Sequence, residues 1–529
     1  MVSDADSAGP APGARFASAP WLLAGVAATA VAVGSAELLA WPLGPAGSPL
    51  TAVGGWVIDW TPAPVKDAAI AAFGTGDKAF LMVVMLVLLA LIGGVIGLAL
   101  RRSLRLAGIL LGLLGLLGLV AAITRTPTPS AAITLILGTG VGILALAYLR
   151  KLGVAAADPP GAALAASGQR GQGMPRRQFL LTGLVVAAAG LGAGALGRAA
   201  SATARAASSV RELLKLPLPA RRELIPAGAD LQVPGAGPFV TPTKDFYRID
   251  TALSVPTIDA AQWSLRIHGL VDRELTLSFD DLLRRPLIER TVTLMCVSNE
   301  VGGNLVGNAV WTGVPIRDLL AEVGVHPEAD MVLSTSQDRF TAGTPLDTLT
   351  DSGRDALLAV SMNGEPLPFE HGYPVRMVVP GLYGYVSATK WVVDLEVTRF
   401  DRAQGYWTPR GWSARGPIKL SSRIEVPAQG ASRPLGEVVI AGTAWAQHTG
   451  IAAVQVRIDA GPWREADLGE VPSSDTWRQW VYRWTDATAG RHSIQVRAVD
   501  TRGRVQDAVR RPTAPDGATG LHERTITIT

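Results

Sequence analysis

The stretch RTVTLMCVSNEVGGNLVGNAVWTGVPIRDLLAEVGV, residues 290–325, contains the sole cysteine of the 529-residue chain, Cys296. The pattern predicts a β-strand that ends at the cysteine, a polar loop with glycines after it, and an amphipathic helix over PIRDLLAEVG. One cysteine cannot form an intramolecular disulfide. Cys296 is therefore a buried thiol, a nucleophile or a metal ligand. Its place at a strand end favours chemistry, because rigid scaffolds often present functional residues on loops.

A second group of polar residues lies in MNGEPLPFEHGYPVRMVVPGLYGYVSATKWVVDLEV, residues 362–397. Its glycines allow a close approach of the backbone to a ligand. Arginine suits a phosphate by forked hydrogen bonds, lysine suits it as a point charge, and hydroxyls add donors. The concentration of such side chains between two apolar, strand-like runs predicts a bound anionic ligand. The candidates are His371, Arg376, Ser387, Thr389 and Lys390.

The N-terminal part of the chain differs in composition from the rest. Residues 1–205 hold 14 Lys and Arg against 7 Asp and Glu, whereas the remainder holds 34 against 37. Five apolar runs here have about the 20 residues that a helix needs to cross a bilayer. No lysine-rich arm or basic stripe with interleaved aromatics is present, so the sequence excludes a nucleic-acid partner. We predict a transmembrane region at 1–197 with five helices, at about 21–40, 80–100, 106–123, 131–148 and 179–196.

The basic residues of this region predict its orientation. Lys and Arg are concentrated in the second and fourth connections between the predicted helices and are sparse in the first and third. By the positive-inside rule, the N-terminus is cytoplasmic and the chain after the fifth helix is extracytoplasmic. The stretch PRRQFLLTG, residues 175–183, resembles a twin-arginine export signal. We therefore predict a multi-pass protein of the cell membrane.

Beyond the helices, the sequence predicts three regions. Residues 198–239 are rich in Ala, Pro, Arg and Gly and form a tether. Residues 240–420 alternate short strands with short capped helices. Residues 421–529 have strands and turn signals at the spacing of a β-sandwich.

Together these stretches resemble the sulfite oxidase family of molybdopterin-dependent oxidoreductases over roughly residues 240–529. In that family a C-x-x-N loop ligates molybdenum through its cysteine, and H-G-[FY]-P-x-R-x-V-x-P-G followed by K-W holds the pterin. This sequence has CVSN at 296–299, HGYPVRMVVPG at 371–381 and KW at 390–391. The resemblance, which points to the membrane-anchored actinobacterial branch, implies an α+β molybdopterin domain after the transmembrane bundle. An immunoglobulin-like sandwich of the kind that mediates dimerisation would follow it.

The resemblance also implies the roles of individual residues. Cys296 would be the protein ligand of molybdenum, and FYR at 246–248 matches the F-x-R that clasps the pterin. Tyr406 and Arg410 lie between the last two regions, where we expect the substrate pocket, so Cys296, Tyr406 and Arg410 form the predicted catalytic group. The cofactor would be bound by Phe246, Tyr247, Arg248, Cys296, Ser298, Asn299, Asp338, His371, Arg376, Ser387, Thr389 and Lys390.

The activity implied is two-electron oxygen-atom transfer on a small molecule or sulfoxide-type substrate, with sulfite oxidation proper as an alternative. Ile249-Asp250 replace the Asn-His of vertebrate- and plant-type sulfite oxidases, and arginines common after the metal cysteine are missing. The first histidine is His268, after the helices, so we expect no haem within the chain. Electrons would be exchanged with a separate cytochrome or quinone-linked protein.

Two other classes of function remain open. A cysteine hydrolase or transpeptidase would use Cys296 as nucleophile and His371 as base, but it leaves Arg376 and Lys390 without a role. A non-enzymatic, membrane-tethered adhesion or assembly module would bind through its sandwich and would not require the cysteine.

Overall fold

The computed structural model describes residues 18–43, 47–62, 65, 76–125, 129–157, 176–206, 211 and 214–529. The chain divides into two compact units, Met1–Ser208 with Ala252–Ser254, and Ser209–Thr251 with Val255–Thr529. Residues 158–175, which include Arg170 of the basic fourth connection and the first residue of the predicted export signal, lie outside the described residues. So do residues 207–210 and 212–213 of the predicted tether. The other basic residues of the fourth connection belong to the ends of the two flanking helices.

The described part of the first unit is helical. Five of its helices are long and apolar enough to cross a bilayer, with candidate spans of 21 to 26 residues, which confirms the five predicted helices. Each extends beyond its apolar run, because residues such as Ala and Arg favour helix without marking a bilayer span. A further helix, α2, has only 12 residues and was not predicted. The helices are α1 Ala19–Leu43, α2 Pro49–Trp60, α3 Asp77–Arg102, α4 Leu104–Arg125, α5 Pro129–Ala157 and α6 Arg176–Ala206.

Helix α1 packs closely against α3 and α6 through glycines. A Cβ added at Gly34 of α1 would lie 1.8 Å from the carbonyl oxygen of Gly190 in α6, and one at Gly25 would lie 2.1 Å from that of Gly93 in α3. Small residues at such crossings let helix backbones approach and gain dispersion contacts, which matter where lipid supplies no hydrophobic driving force. Two neighbouring helices thus pack directly against the backbone of α1.

The acidic side chain of α1, Glu37, is only 3% exposed. Its Oε1 accepts hydrogen bonds from Ser48 Oγ (2.8 Å) and from the backbone N–H of Leu50 (2.9 Å). Ser48 is itself the N-cap of α2 and accepts from Thr51 N. A carboxylate at a helix N-terminus satisfies orphan N–H groups and complements the helix dipole. Glu37 therefore joins α1 to the start of α2.

The second unit is built mainly of β-strands. Its first part has the two sheets β2-β1-β10-β5-β6 and β3-β4-β7-β8, with β9 paired to β7. This β-rich architecture with short helices agrees with the predicted class of the molybdopterin domain. The strands are β1 Ser264–Gly269, β2 Leu275–Ser278, β3 Ile288–Met295, β4 Val306–Pro315, β5 Met331–Ser336, β6 Thr341–Pro345, β7 Leu357–Met362, β8 Glu365–Pro366, β9 Arg376–Val378 and β10 Val392–Thr398. The helices are α7 Phe279–Leu283, α8 Ile316–Val323 and α9 Leu346–Thr350.

Two of the short helices, α7 and α8, have an end that the local sequence explains. Ser278 caps α7 in a capping box with Asp281, and α8 ends at Gly324, whose φ of +69° is left-handed. Both signals are local, so the chain specifies these helix ends without tertiary contacts.

The C-terminal part forms a β-sandwich. One sheet has the order β11-β13-β17-β16 and the other β12-β19-β18-β14-β15. Apolar residues from both sheets make one core, with Ile440 and Trp480 from the first and Val454 and Ile494 from the second. The strands are β11 Ser421–Val426, β12 Ser432–Arg433, β13 Val438–Trp445, β14 Ile451–Ile458, β15 Arg464–Glu465, β16 Asp467–Leu468, β17 Arg478–Trp484, β18 Gly490–Asp500 and β19 His522–Ile528.

Strand β3, which leads to Cys296, is an edge strand with a covered outer side. It pairs with β4 along its whole length. On the other side, the Glu289 N–H donates to Arg221 O (2.9 Å) and the Thr293 N–H donates to Asp475 O (3.0 Å). Covering an edge satisfies its backbone groups and suppresses slippage. The strand that presents Cys296 is therefore held from both sides.

Candidate active site around Cys296

Cys296 is the first residue of the loop between β3 and β4, residues 296–305, which we call the cysteine loop. Its N–H donates to Leu305 O (2.9 Å) and its carbonyl accepts from Asn299 N (3.1 Å). The Oδ1 atom of the buried Asn299 accepts from Leu305 N (2.7 Å). The asparagine of the C-x-x-N pattern thus closes the loop on itself.

The surroundings of the thiol affect its ionisation in two directions. Burial raises the pKa of Cys296, whereas hydrogen bonds from the backbone and side chain of Ser298 and the charge of Lys390 lower it. Thiolates are soft metal ligands, and metal binding favours the deprotonated form. Because burial outweighs the other effects, the site holds a thiolate best when a cationic centre binds it.

His371 is a poor general base in these surroundings. Burial, together with the charges of Lys390 and Arg376, lowers its pKa to about 3. Its Nδ1 has no hydrogen-bond partner among the described residues. Efficient general bases have a pKa near the working pH, so the arrangement disfavours a Cys–His hydrolase. A buried ring nitrogen without a partner is instead available to a ligand.

Aromatic rings lie around His371 and its neighbouring cations. Phe246 stacks on Tyr247 with ring centroids 5.2 Å apart, and its ring meets Trp311 and His371 edge-on at 5.8 and 5.6 Å. Burial raises the pKa of Tyr247, the nearby Cys296 raises it further, and Arg376 lowers it. The structure therefore brings the FYR stretch together with both the cysteine and the histidine cluster.

Arg376 is a buried cation that contacts two members of this group. Its guanidinium lies 5.0 Å from the Trp311 ring centroid, and Nη1 donates to His371 O (3.1 Å). Burial lowers its pKa to about 10, so it stays protonated at neutral pH.

Asp250 links two predicted cofactor-binding cations. Its Oδ2 lies 3.1 Å from Lys390 Nζ and 2.9 Å from Arg248 Nε. Lys390 also donates to Glu370 O (2.9 Å). Burial lowers the pKa of Lys390 to about 8, while the charge of Asp250 raises it. In the sequence, Asp250 stands out only as a departure from the family pattern. Its position two residues after Arg248 is the feature from which an ion pair with that arginine could have been predicted.

Ser387 and Thr389 are buried, and the protein itself engages their hydroxyls. Ser387 Oγ donates to Tyr383 O (3.0 Å), and Thr389 Oγ1 shares a 2.7 Å hydrogen bond with Ser334 Oγ. These contacts stabilise the glycine turn and its junction with β5.

Tyr406 and Arg410 lie beside the turn that carries Asp338. Arg410 stacks 3.7 Å above the Tyr406 ring centroid, and Tyr406 N donates to Thr341 O (2.9 Å) at the start of β6. Asp338, between β5 and β6, contacts the Ser336 hydroxyl. These residues form a second group of predicted site residues.

A ladder of rings connects the second group to the glycine turn. Centroid separations are 5.2 Å for Tyr406–Trp407, 6.2 Å for Trp407–Trp412 and 5.9 Å for Trp412–Tyr385. Tyr385 belongs to the turn that also carries Ser387. The aromatic residues of 405–420 and the pterin-type motif are therefore joined by an unbroken series of ring contacts.

Tyr383 is a functional candidate that the sequence analysis missed. It is buried, and burial raises its pKa to about 12, with the charges of Asp516 and Cys296 adding to the rise. Its phenol is thus protonated at neutral pH and lies close enough to sense the thiol. The neighbouring Gly384 lies against Met295 O, 3.8 Å from the position of an added Cβ. The Gly-Leu-Tyr-Gly pattern predicts a turn, but only the fold shows that this turn lies against Met295, the residue before the cysteine.

Within the described residues, no group of three or more His, Cys, Asp or Glu side chains converges as a metal site. A metal at Cys296 would therefore need other ligands to complete its coordination, as a cofactor-borne metal has.

Comparisons with known proteins agree with this chemistry. Residues 252–407 match the family described as "Oxidoreductase molybdopterin binding domain". The chain is 37% identical over 158 residues to the uncharacterized oxidoreductase YuiH of Bacillus subtilis, covering 30% of this chain and 76% of that protein. It is 30% identical over 287 residues to the mitochondrial sulfite oxidase of Rattus norvegicus, covering 46% of this chain and 52% of that protein.

The chain spans about half the length of the mammalian sulfite oxidases that it matches. Among solved structures, the sulfane dehydrogenase SoxCD from Paracoccus pantotrophus is similar with a TM-score of 0.47 and 25% identity, over 54% of this chain and 80% of that one. The domain match and the relative covered over most of its length identify the chain as an enzyme. This protein belongs to the sulfite oxidase family of molybdopterin-dependent oxidoreductases.

Proposed function

We propose that this protein is a membrane-anchored oxidoreductase that uses molybdenum-bearing molybdopterin for two-electron oxygen-atom transfer on a small molecule or sulfoxide-type substrate. The observation that carries the proposal is the meeting of one buried thiol with buried cations and an unpartnered imidazole nitrogen. Cys296 and Lys390 interact electrostatically, and His371 senses both Lys390 and Arg376. The two sequence motifs therefore make one site.

The residues present fit the cofactor in charge and in hydrogen-bonding capacity. A pterin phosphate is anionic and complements Arg376, Lys390 and Arg248. The Nδ1 atom of His371, buried without a partner among the described residues, can meet a polar atom of the pterin. The thiol of Cys296 is the soft ligand that molybdenum requires. Phe246 and Tyr247 supply an apolar wall.

When bound, the molybdenum centre would supply oxygen-atom transfer, and the protein would position it and shape the pocket. Asp250 would hold Lys390 and Arg248 in place for the phosphate. The phenol hydroxyls of Tyr247 and Tyr383 keep their protons at neutral pH because burial raises the pKa of both. Because both interact electrostatically with Cys296, they are the candidates to donate hydrogen bonds to an oxygen there.

Tyr406 and Arg410 would line the substrate pocket with Cys296 at its base. The aromatic ladder supports this placement, since it connects Tyr406 with the turn beside the cysteine strand. Sulfite remains the alternative substrate; it would need cations in the pocket, and Arg410 is the candidate there.

The five apolar helices support anchoring in the cell membrane. From the basic connections we propose a cytoplasmic N-terminus and an outer-face catalytic domain, exported through the twin-arginine stretch. We propose the domain bounds 1–197, 198–239, 240–420 and 421–529. The C-terminal sandwich would be immunoglobulin-like and would mediate a homodimer. No haem is expected within the chain, and a separate cytochrome or quinone-linked protein would exchange electrons with it.

Metal analysis tests the proposal directly. The full chain, purified in detergent from a host that makes the cofactor, should contain about one molybdenum and one pterin per chain. Cys296→Ser should lose redox activity with a viologen dye and a sulfoxide, and its metal spectrum should change. Well-folded wild-type protein without molybdenum and pterin would contradict the proposal and favour the adhesion module.

A further inference from the structure

The C-terminal sandwich contacts the cysteine loop at its far end, where two glycines follow the acidic residue of the loop. Arg423 of β11 donates from Nη1 to Gly303 O (2.9 Å). Gly303 N donates to Glu300 O (2.9 Å), so the carbonyl that Arg423 binds belongs to a tight turn. A hydrogen bond from a charged donor is about twice as strong as a neutral one. The sandwich therefore fixes this turn through a strong contact.

The arginine is itself held in one position. Its side chain is 13% exposed and forms an ion pair with Glu425, and its guanidinium lies 5.8 Å from the Trp477 ring centroid. Glu425 Oε2 also accepts from Gly237 N (2.8 Å). Because both its partner and its packing are fixed, Arg423 loses little freedom in binding the loop.

A histidine of β19 supports the same turn. His522 Nδ1 accepts from Ile424 N (2.9 Å), which leaves its other ring nitrogen and edge facing Gly302. A Cβ added at Gly302 would lie 2.4 Å from two atoms of that ring, and the residue has a φ of +79°. Only glycine fits such a position. The loop is thus shaped to the surface of the sandwich.

The sandwich also contacts the strand at the other end of the loop. Besides the bond from its N–H to Asp475 O, Thr293 accepts from Trp477 N through Oγ1 (2.7 Å) and from Gln447 Nε2 through its carbonyl (3.3 Å). Thr293 stands three residues before Cys296. Trp477 contacts Thr293 and underlies Arg423, so the two contact regions are parts of one surface.

We propose that Arg423 of the C-terminal sandwich is a positioning residue for the metal-ligand loop, holding Gly303 so that Cys296 presents its thiol in a single place. The inference rests on the proposed function in one respect, since it takes Cys296 as the metal ligand. It gives the sandwich a part in the active site that is separate from dimerisation.

The single cysteine allows a test that does not depend on the cofactor. The full chain is prepared in detergent from a host unable to make the pterin, as wild type, Arg423→Gln and Arg423→Lys. Arg457→Gln is the matched control, because Arg457 is a sandwich arginine whose guanidinium contacts Gln495 and the Trp463 ring. The rate of Cys296 modification by a maleimide is measured at one pH under native conditions, and thermal unfolding is followed by tryptophan fluorescence.

Arg423→Gln should react at least about tenfold faster than wild type, the factor expected when the closed loop loses one charge-assisted hydrogen bond. Arg423→Lys should react at an intermediate rate, and Arg457→Gln should match wild type. Equal rates in all four proteins at unchanged unfolding temperature would overturn the proposal. If Arg423→Gln does not fold, Gly302→Ala decides, because its methyl group would meet the His522 ring and displace the same turn from the loop side: faster modification supports the proposal and an unchanged rate overturns it.

Cofactor-loaded protein separates this inference from the proposed function. Arg423→Gln that retains molybdenum should show shifted g-values in its Mo(V) electron paramagnetic resonance spectrum, with Arg423→Lys closer to wild type. If the wild type contains molybdenum but the variants have the same spectra and the same rates of thiol modification as wild type, the positioning role is rejected and the proposed enzyme function stands. If the wild type binds no molybdenum but Arg423→Gln is still modified faster at its thiol, the role of Arg423 in holding the loop is supported and the proposed function is rejected.

Discussion

The carboxylate of Asp250 lies 3.1 Å from the ammonium of Lys390, although the two residues are 140 positions apart in the chain. Both side chains are nearly buried, and Asp250 also binds Arg248. One acidic side chain thus offsets part of the charge that two cations bring to the site. Without it, the cations would be mutually repelling and Lys390 would be buried without an anion.

Asp250→Asn should lower cofactor retention and stability together. Removing one partner of a buried pair costs about 3 kcal/mol or more, and an amide cannot offset the charge of Lys390. We expect molybdenum and pterin per chain to fall well below the wild-type value. Asp394→Asn, which removes the carboxylate beside His268 in the same part of the unit, should retain the cofactor. Full retention in Asp250→Asn would show that Asp250 does not organise the cations.

Arg376→Lys should not preserve the site. The guanidinium packs 5.0 Å from the Trp311 ring centroid and donates to a backbone carbonyl, and an ammonium cannot reproduce the planar contact. We expect at least about a tenfold weaker retention of the pterin, corresponding to about 1.4 kcal/mol, measured as pterin fluorescence after release. Arg457→Lys serves as the control, and equal pterin content in the two variants would contradict the assignment.

Tyr383→Phe should separate binding from turnover. Burial raises the pKa of Tyr383 to about 12, and the charge of Cys296 adds to the rise. Its hydroxyl is therefore protonated and within electrostatic range of the thiol, and its removal leaves the ring packing intact. We expect unchanged molybdenum content and roughly a hundredfold slower sulfoxide reduction by reduced viologen, at the lower end of the effect of a positioned proton donor. Tyr482→Phe in β17 is the control. Wild-type turnover by Tyr383→Phe would rule out the role of the hydroxyl.

The stability of the second unit should fall as pH rises through the titration of His448. The hydrogen bond to Asp475 raises the pKa of His448, and Asp351 also raises it, whereas burial and the charge of Arg354 lower it. Since the folded pKa is above the unfolded one, the stabilisation is complete below about pH 6.5. It is lost as pH passes the raised folded value. We expect a decrease of roughly 1 kcal/mol.

Denaturant unfolding of the full chain at pH 6 and pH 8.5, followed by tryptophan fluorescence, measures this effect. His448→Gln should show a smaller decrease between the two pH values than wild type. His492→Gln is the control, because the pKa of His492 is also raised, by Asp459. Its removal should leave the contribution of His448 to the pH dependence unchanged. An identical pH dependence in wild type and His448→Gln would refute the prediction.

The sequence by itself determined the features that depend on local pattern. Strand β3 ends at the residue before Cys296, α8 lies within the predicted amphipathic helix PIRDLLAEVG, and five apolar helices occur where the hydropathy is high. The periodicity of apolar residues, the capping residues and the length of an apolar run depend only on neighbouring positions, so they can be recognised before the tertiary structure is known. The two motifs carried the family for the same reason, because each is contiguous in the chain.

Only the tertiary structure decided which distant residues meet. It brought Asp250 to Lys390, placed Tyr383 within electrostatic range of Cys296 and set Arg423 of the sandwich against Gly303. It also gave Glu37 a buried role at the start of α2. Such pairings follow from the order of the strands and the packing of the domains. Buried charges and backbone groups find their partners across the whole unit, because no single stretch of sequence contains all the partners they need.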